Sequence, residues 1–445
     1  MEKSIALKVT ALLSENGFSL DELVLKTKEL FDREGMAGFV GLLLELVDAH
    51  LCTTLIHKTS VWHRAPCCEQ AAYELDRRVS RRLRTSIGTI HLYWRRLRCV
   101  HCGRSFVPLR EFLGLERYQS KTSELERIVT EVVAEQNYRR LTRHLELIGM
   151  IPVPKSTAHR WVAASDCDEI VTAGKTVQEL LADGTGYKRR PDASAGVSNH
   201  GELRVVLGVS PGGTVIPMGA WSGKSWEEIG QAIAPKEAKT GPIAEVLVSD
   251  GEQGLAEELA HLVNGEQRCH WHQIHQLGYF MWRDDAPRDD RRAAQHHLAG
   301  IIGIELPRQD FKLVAEEDKS ALEQTTVAAE EKLDELVAGL VGKGYHQAAN
   351  YIRYAKDKLF TYVRLWLKCG LVSPRVSSLI ERMMREIGRR LKRIAFGWSE
   401  AGAAKMTRII IKRMTSAGEW NAYWREKLRV TGQVTLTYNG VHAST

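Results

Sequence analysis

The 445-residue chain has no internal repeat, no low-complexity tract and no uncharged apolar run long enough to span a bilayer. The nearest run, Met36 to Ile56, is interrupted by Glu45, Asp48 and His50 and is expected to be a buried helix. The first residues lack the basic-then-apolar pattern of a signal peptide, so a cytoplasmic protein is expected. Cysteine is sparse, with eight in the whole chain. That excludes a small scaffold held together by disulfides and favours metal ligands or reduced core thiols. A hydrophobic fraction of 44% and a charged fraction of 26% exclude wholesale disorder and are enough for two to four domains with real cores.

The net charge is only +7, but it is unevenly placed. Residues 61–110 hold eleven arginines against three acids, and residues 375–413 hold eleven Lys/Arg against three acids. Residues 1–60 are slightly acidic, with nine acids against six bases. Two basic patches on a near-neutral body suggest a polyanionic partner, with nucleic acid the leading class.

Local pattern divides the chain into seven parts. Residues 1–60 are expected to be helical: Leu12, Leu13, Leu20, Leu23, Val24, Leu30 and Phe31 recur near helical spacing. Ser19 and Glu22 form a capping-box pattern. Residues 61–115 switch to short β-like runs and form a basic, zinc-ribbon-like segment. Cys99-Val-His-Cys102-Gly103 is a knuckle whose two thiolates can meet one tetrahedral zinc, the glycine permitting the turn. The other two ligands would come from His63, Cys67 and Cys68, and the spacing does not choose among them. The intervening Arg77, Arg78, Arg81, Arg82, Arg95 and Arg96 suit phosphate contact.

Residues 120–170 contain three short amphipathic helices. The second opens with Arg139 and Arg140, and the third begins at Lys155 and carries Arg160. A short helix after a Gly-containing turn, led by small polar and basic residues, suits a major-groove reader of the helix-turn-helix kind.

Residues 177–283 carry the chemistry. The expected order is three strands (179–186, 203–209, 214–220), a helix (225–234), a strand ending at Ser249-Asp250-Gly251, a helix (253–263), a short strand at 267–272 and a further helix. This is the order of an RNase H-like α/β domain, in which the first and fourth strands are neighbours. Asp183 and Asp250 would then converge at strand ends as hard oxygen ligands for Mg²⁺ or Mn²⁺. Residues 284–372 read as an all-helical insertion. Residues 373–428, expected as one or two long helices, return the chain to the catalytic core, and 429–445 form a tail. The third acid is expected from the helix opening at Ser377, where Glu381, Arg385 and Arg389 share a face and Glu386 is the alternative.

Four stretches together resemble bacterial insertion-sequence transposases of the Mutator-like DDE class. They are Ala182-Asp183-Gly-Thr-Gly, Val248-Ser-Asp250-Gly, Cys269-His-Trp-His272, and Ile380-Glu381-Arg-Met-Met-Arg385-Glu386 followed by Gly397-Trp-Ser-Glu-Ala-Gly-Ala403. The resemblance covers residues 122 to about 415. It implies that Asp183, Asp250 and Glu381 ligate the metal and that Cys269 and His272 fill the C-x-x-H signature; the shared helix face itself would put Arg385 and Arg389 on DNA phosphates. It further implies double-stranded DNA partners (element ends and target), a homo-oligomer on DNA, and a nucleoid-associated enzyme that cuts and joins strands. The alternatives are a domesticated DNA-binding regulator with the same fold, and a nuclease that cuts without joining.

Overall fold

In the computed structural model, residues 19–31, 35–59, 66–165, 176–190, 199–234, 241–252, 254–394 and 396–429 are described. Leu12, Leu13, His63, Gln253 and the tail from 430 onward lie outside them. The chain forms two compact units, one of residues 1–164 with 423–445 and the other of residues 165–422.

The first unit begins with α1 (Leu20–Leu30) and α2 (Met36–Ile56). Ser19 does precede α1, but its side chain makes no capping hydrogen bond, so the expected capping box is not formed. By length and composition, α2 is the one described helix apolar enough to cross a membrane. Only one of its faces is buried, through Ala37, Gly41, Leu51, Cys52 and Leu55, whereas Leu42 and Leu46 are exposed. The buried helix expected here is therefore buried on one side only, against the small three-stranded sheet and the short helix that follow it.

That sheet pairs β1 (Tyr73–Thr85) with β2 (Gly88–Cys99) as a ribbon, and the short β3 (Ser105–Phe106) adds a third strand. Ile90, Leu92 and Trp94 point into a cluster with Leu51 of α2 and Leu109 of α3 (Pro108–Phe112), while His91 and Tyr93 point outward. Then come α4 (Ser123–Glu135), α5 (Tyr138–Leu147) and α6 (Lys155–Ala163), the three helices expected for 122–165. Thr122 and Asn137 cap the first two, and Leu125, Val129, Leu141, Leu145, Ala158 and Val162 are fully or nearly fully buried.

The second unit is built on a five-stranded sheet. Strands β4 (Glu179–Lys188), β5 (His200–Val209) and β6 (Val215–Ser222) form an antiparallel meander. After α7 (Trp226–Ile233), β7 (Ala244–Ser249) pairs in parallel with β4. After α8 (Leu255–Leu259) and one 3₁₀ turn, β8 (Val263–Arg268) pairs in parallel with β7. The spatial order is β6-β5-β4-β7-β8. The strand expected at 267–272 thus starts four residues earlier, and the helix expected over 253–263 is cut to less than half its length. A parallel edge strand needs backbone partners along β7, and residues 263–268 supply them.

Strand β7 reads Ala-Glu-Val-Leu-Val-Ser because both faces of the sheet are covered. Leu180, Val206 and Leu247 pack on Trp226, Ile229 and Leu255 on one side; Val246 packs on Leu365 and Leu371 on the other.

Helix α9 (His270–Arg283) leads into α10 (Arg288–Ile302), α11 (Glu316–Gly342), α12 (His346–Leu359) and α13 (Thr361–Cys369). Their core includes Leu277, Leu298, Leu333, Ile352, Phe360 and Trp366. Three helices follow instead of one or two: α14 (Ser378–Leu391), α15 (Glu400–Thr415) and α16 (Ala417–Leu428). From Tyr423 onward, α16 belongs to the first unit.

Candidate active site and metal centre

The C-terminal end of β7 is where the second unit gathers its acids. The β4–β7 pairing ends at Leu181↔Val248, and β7 itself stops at Ser249. Asp183 and Asp250 each lie two residues past that last pair, so the parallel register sets them side by side. Asp183 is not at a strand end, as expected from sequence. It lies mid-strand, because β5 goes on pairing with β4 as far as Lys188. The Asp250 carboxylate accepts the backbone N–H of Glu252 (2.9 Å) across a turn in which Gly251 has φ +93°. A side chain at Gly251 would collide with the Arg268 guanidinium, its Cβ falling 1.7 Å from Nη1.

Burial, then the neighbouring Asp250 charge, pushes the Asp183 carboxyl up to about 7. A third acid adds to that field. Glu252 packs over Gly184, where a Cβ would come within 2.7 Å of its carboxylate, and accepts a hydrogen bond from Trp226 Nε1 at 2.9 Å. Sequence reasoning missed Glu252; the only signal was an acid two residues after Asp250.

The Cys269-His270-Trp271-His272 run ties three separate segments to this turn. Cys269 N donates to Ser249 O (2.8 Å) and His270 N donates to Arg375 O (2.9 Å). The buried His270 ring bonds Leu359 O at 2.8 Å, and burial holds its pKa down to about 4, so it is neutral and structural. Cys269 Sγ, fully buried, accepts from Ser377 N (3.3 Å) and Ser377 Oγ (3.2 Å). Ser377 Oγ also lies 2.7 Å from Glu381 Oε1, and His272 Nδ1 lies 3.7 Å from the same oxygen.

Burial is the largest single influence and opposes charge on both Cys269 and His272, but it is outweighed by their mutual hydrogen bond and the other contacts taken together. With help from Ser377 the thiol pKa is lowered. With help from Asp250 and Glu381 the imidazole pKa is raised. Ser377, also missed from sequence, is the residue that fixes Glu381.

Ligand atoms of Cys269, His272 and Glu381 lie within 4.8 Å of one another. Among the described residues, the three oxygens of Asp183, Asp250 and Glu381 do not form so tight a set. Glu381 shares the site through His272, whose charge is raised by Asp250 and Glu381 and felt by Asp183. The alternative acid, Glu386, is held by Arg389 (2.7 Å) on the exposed side of α14. Arg385 is exposed.

In the first unit, four cysteines come together. Cys67 Sγ lies 3.4 Å from Cys102 Sγ, and Cys68 Sγ lies 3.8 Å from Cys99 Sγ. All four sulfurs are within 4.8 Å of one another. The edge of a zinc–thiolate tetrahedron, with Zn–S about 2.3 Å, is about 3.8 Å. These cysteines can therefore hold a zinc ion, and both Cys67 and Cys68 are needed to complete the set. The backbone N–H of Cys102, first among several hydrogen bonds, lowers Cys99 to about 5, as suits a thiolate ligand. Gly103, at φ +72°, allows the knuckle to turn.

The arginines divide into two groups. In the ribbon, Arg78 faces Arg95 and Arg77 faces Arg96, like charges directly opposed. Asp48 of α2 relieves one pair by binding Arg95 Nη1 (2.9 Å), and Asp76 relieves the other by binding Arg96 (3.2 Å). Arg81 stacks over Trp94 and donates to the carbonyls of Glu116, Arg117 and Gln119. Arg81 and Arg95 thus tie the ribbon to its neighbours, and Arg96 pairs across its two strands. Arg77, Arg78 and Arg82 are exposed and make no ion pair with the described residues, and Arg139, Arg140, Lys155 and Arg160 are exposed on α5 and α6. A cavity of about 1630 Å³ lies in the first unit between α1, α2 and residues 146–152 and contains none of the expected catalytic residues.

No protein-family model matches this chain, and neither does any curated protein.

Proposed function

We propose that the second unit is an RNase H-like, metal-dependent phosphoryl-transfer domain and that the chain is a DNA transposase of the Mutator-like DDE kind. The observation that carries this reading is the parallel β4–β7 pairing, which sets Asp183 beside Asp250 beneath the helix that bears Glu381. The strand order β6-β5-β4-β7-β8 and the helices between β8 and α14 support the same reading.

The donor set suits a divalent cation such as Mg²⁺. Burial first, and then the charge of the neighbouring Asp250, hold a proton on Asp183 near neutrality, and a hard cation would offset both. Asp183, Asp250 and Glu381 would hold it. Such an ion, when bound, supplies Lewis-acid polarisation of the phosphate and acidifies the attacking water. The chain's own residues fix the rest. Ser377 anchors one Glu381 oxygen, and the other makes no hydrogen bond with the described residues. His272 balances the surrounding negative charge, and Arg385 is available to a phosphate. In the first unit, α5, α6 and the outer face of the ribbon would bind duplex DNA.

The test is Asp183→Asn in the full chain. Loss of Mg²⁺-dependent strand cleavage, with duplex binding retained, is the expected result. Cleavage at near the unmodified rate would remove the site from this position.

A further inference from the structure

One surface of the second unit is left unexplained by catalysis. Along α9, Trp271, His275, Tyr279 and Trp282 follow at spacings of four, four and three residues and so share one face of the helix. All four are exposed, and the three larger rings are at least half open to solvent (50, 54 and 55%). They form a row, because Trp271 and His275 stack with centroids 5.0 Å apart and planes 9° from parallel, and Tyr279 lies 5.9 Å from Trp282. Packing does not require this: the buried side of α9 is formed by His270, Gln273, Leu277, Gly278 and Met281.

The neighbouring helix supplies charge. Gln295 of α10 closes onto α9 by donating to Ile274 O (3.0 Å). Gly278 makes the approach possible, since a Cβ there would come within 2.6 Å of Gln295 Nε2. This places Arg288, Arg291 and Arg292 along the aromatic row, around a cavity of about 450 Å³. None of the three makes an ion pair with the described residues, and Arg291 Nε is buried with no hydrogen-bond partner. Guanidinium groups without a counter-ion among the described residues, set beside exposed aromatic faces, suit a ligand that is both anionic and flat-faced.

We propose that this groove binds single-stranded DNA, with bases stacked on Trp271, Tyr279 and Trp282 and phosphates held by the α10 arginines. Trp271 and Trp282 are about 16 Å apart by helical rise, the span of four or five nucleotides at about 3.4 Å each. The row starts one residue from His272, so the strand would leave the acidic site directly along α9. A duplex keeps its base faces covered, so only an unpaired strand can use the rings. The identity of the polyanion as DNA rests on the transposase reading.

The experiment titrates full-length protein into fluorescent oligothymidine and, separately, into a blunt duplex. Each stacking contact contributes about 1–3 kcal/mol, so Tyr279→Ala with Trp282→Ala should weaken oligothymidine binding by about tenfold or more. Trp282→Phe should keep most of the affinity, Arg292→Ala should flatten its salt dependence, and duplex binding should not change. These side chains are exposed, and circular dichroism checks that the variants remain folded. Unchanged oligothymidine affinity in the double variant overturns the proposal. So does an effect confined to the oligomeric mass of the protein, which would make the row a protein interface. If the double variant loses oligothymidine while Asp183→Asn still cleaves, the groove stands and the catalytic assignment falls; the reverse pattern spares the catalytic site and rejects the groove.

Discussion

Replacing Asp183 by Asn should stabilise the metal-free protein, although the residue is central to the proposed chemistry. In the folded chain the carboxyl titrates at about 7, against an ordinary value of 3.8. Its folded-state pKa is raised, so the native state binds the proton more tightly than the unfolded chain does. Below pH 3.8 both states are protonated and the group costs nothing. From there upward the unfolded chain gains by ionising, and stability falls until the native carboxyl also ionises near pH 7. The difference of about 3.2 pH units, at 1.36 kcal/mol each, amounts to about 4 kcal/mol above pH 7. Asparagine carries no such charge. Calorimetric unfolding of metal-free protein should therefore show Asp183→Asn ahead of the unmodified chain by up to that amount at pH 8 and level with it at pH 3.5. Added Mg²⁺ should close the gap by stabilising only the unmodified chain. A variant that is less stable at pH 8, or an advantage independent of pH, would refute the idea that burial and the Asp250 charge make the ionised Asp183 costly.

Other outcomes follow from the same geometry. Elemental analysis of purified protein should give about one zinc per chain, and Cys102→Ser should lose it while keeping the response of the second unit to Mg²⁺; zinc retained in that variant would rule out the four-sulfur site. Arg95→Ala leaves the Asp48 carboxylate buried without its ion partner, so urea unfolding near neutral pH should show the first unit weakened by about 2–3 kcal/mol; burial already holds the Asp48 carboxyl above its ordinary 3.8 and loss of Arg95 raises it further, so the deficit should already shrink as pH falls toward 3.8, and a change within about 0.5 kcal/mol would mean that the pair is dispensable. Gly251→Ala combines a left-handed backbone with a collision against Arg268, and should cost about 2–3 kcal/mol and suppress cleavage by shifting Asp250; wild-type cleavage would show that the turn tolerates rearrangement.

Much of the second unit was legible because its strands are short apolar runs set between turn residues, and the two Asp-Gly dipeptides mark where β7 and its neighbour stop pairing. Strand order made Asp183 and Asp250 neighbours, but it put Asp183 at a strand end, whereas β4 runs on to Lys188 because β5 keeps pairing with it. Boundaries that depend on a partner did not: β8 begins at Val263 because β7 needs an edge, and nothing local in Val-Asn-Gly-Glu-Gln-Arg signals a strand. Glu252 and Ser377 were hidden for a related reason. Each acts through a residue distant in sequence, Glu252 over Gly184 and Ser377 on Cys269, and composition carries no trace of such pairs. The arginines of the ribbon show a further limit. Sequence counts charge but cannot tell Arg82, facing solvent, from Arg81, which spends its hydrogen bonds on three carbonyls. The knuckle Cys99–Cys102 was clear from spacing, whereas adjacent Cys67 and Cys68 became credible ligands only when their sulfurs met the other two.

The return of α16 to the first unit has a consequence for biogenesis. Trp424 is fully buried, and Lys427 reaches the nearly buried Glu126 of α4 at 3.1 Å. A ribosome therefore makes the first 164 residues long before it makes the helix that completes their unit, and the whole second unit must emerge in between. Until then the nascent unit holds Glu126 with Lys121 alone. A transcript cut short anywhere before codon 423 would yield an unfinished first unit, so truncated copies should be poor competitors for whatever the complete chain binds.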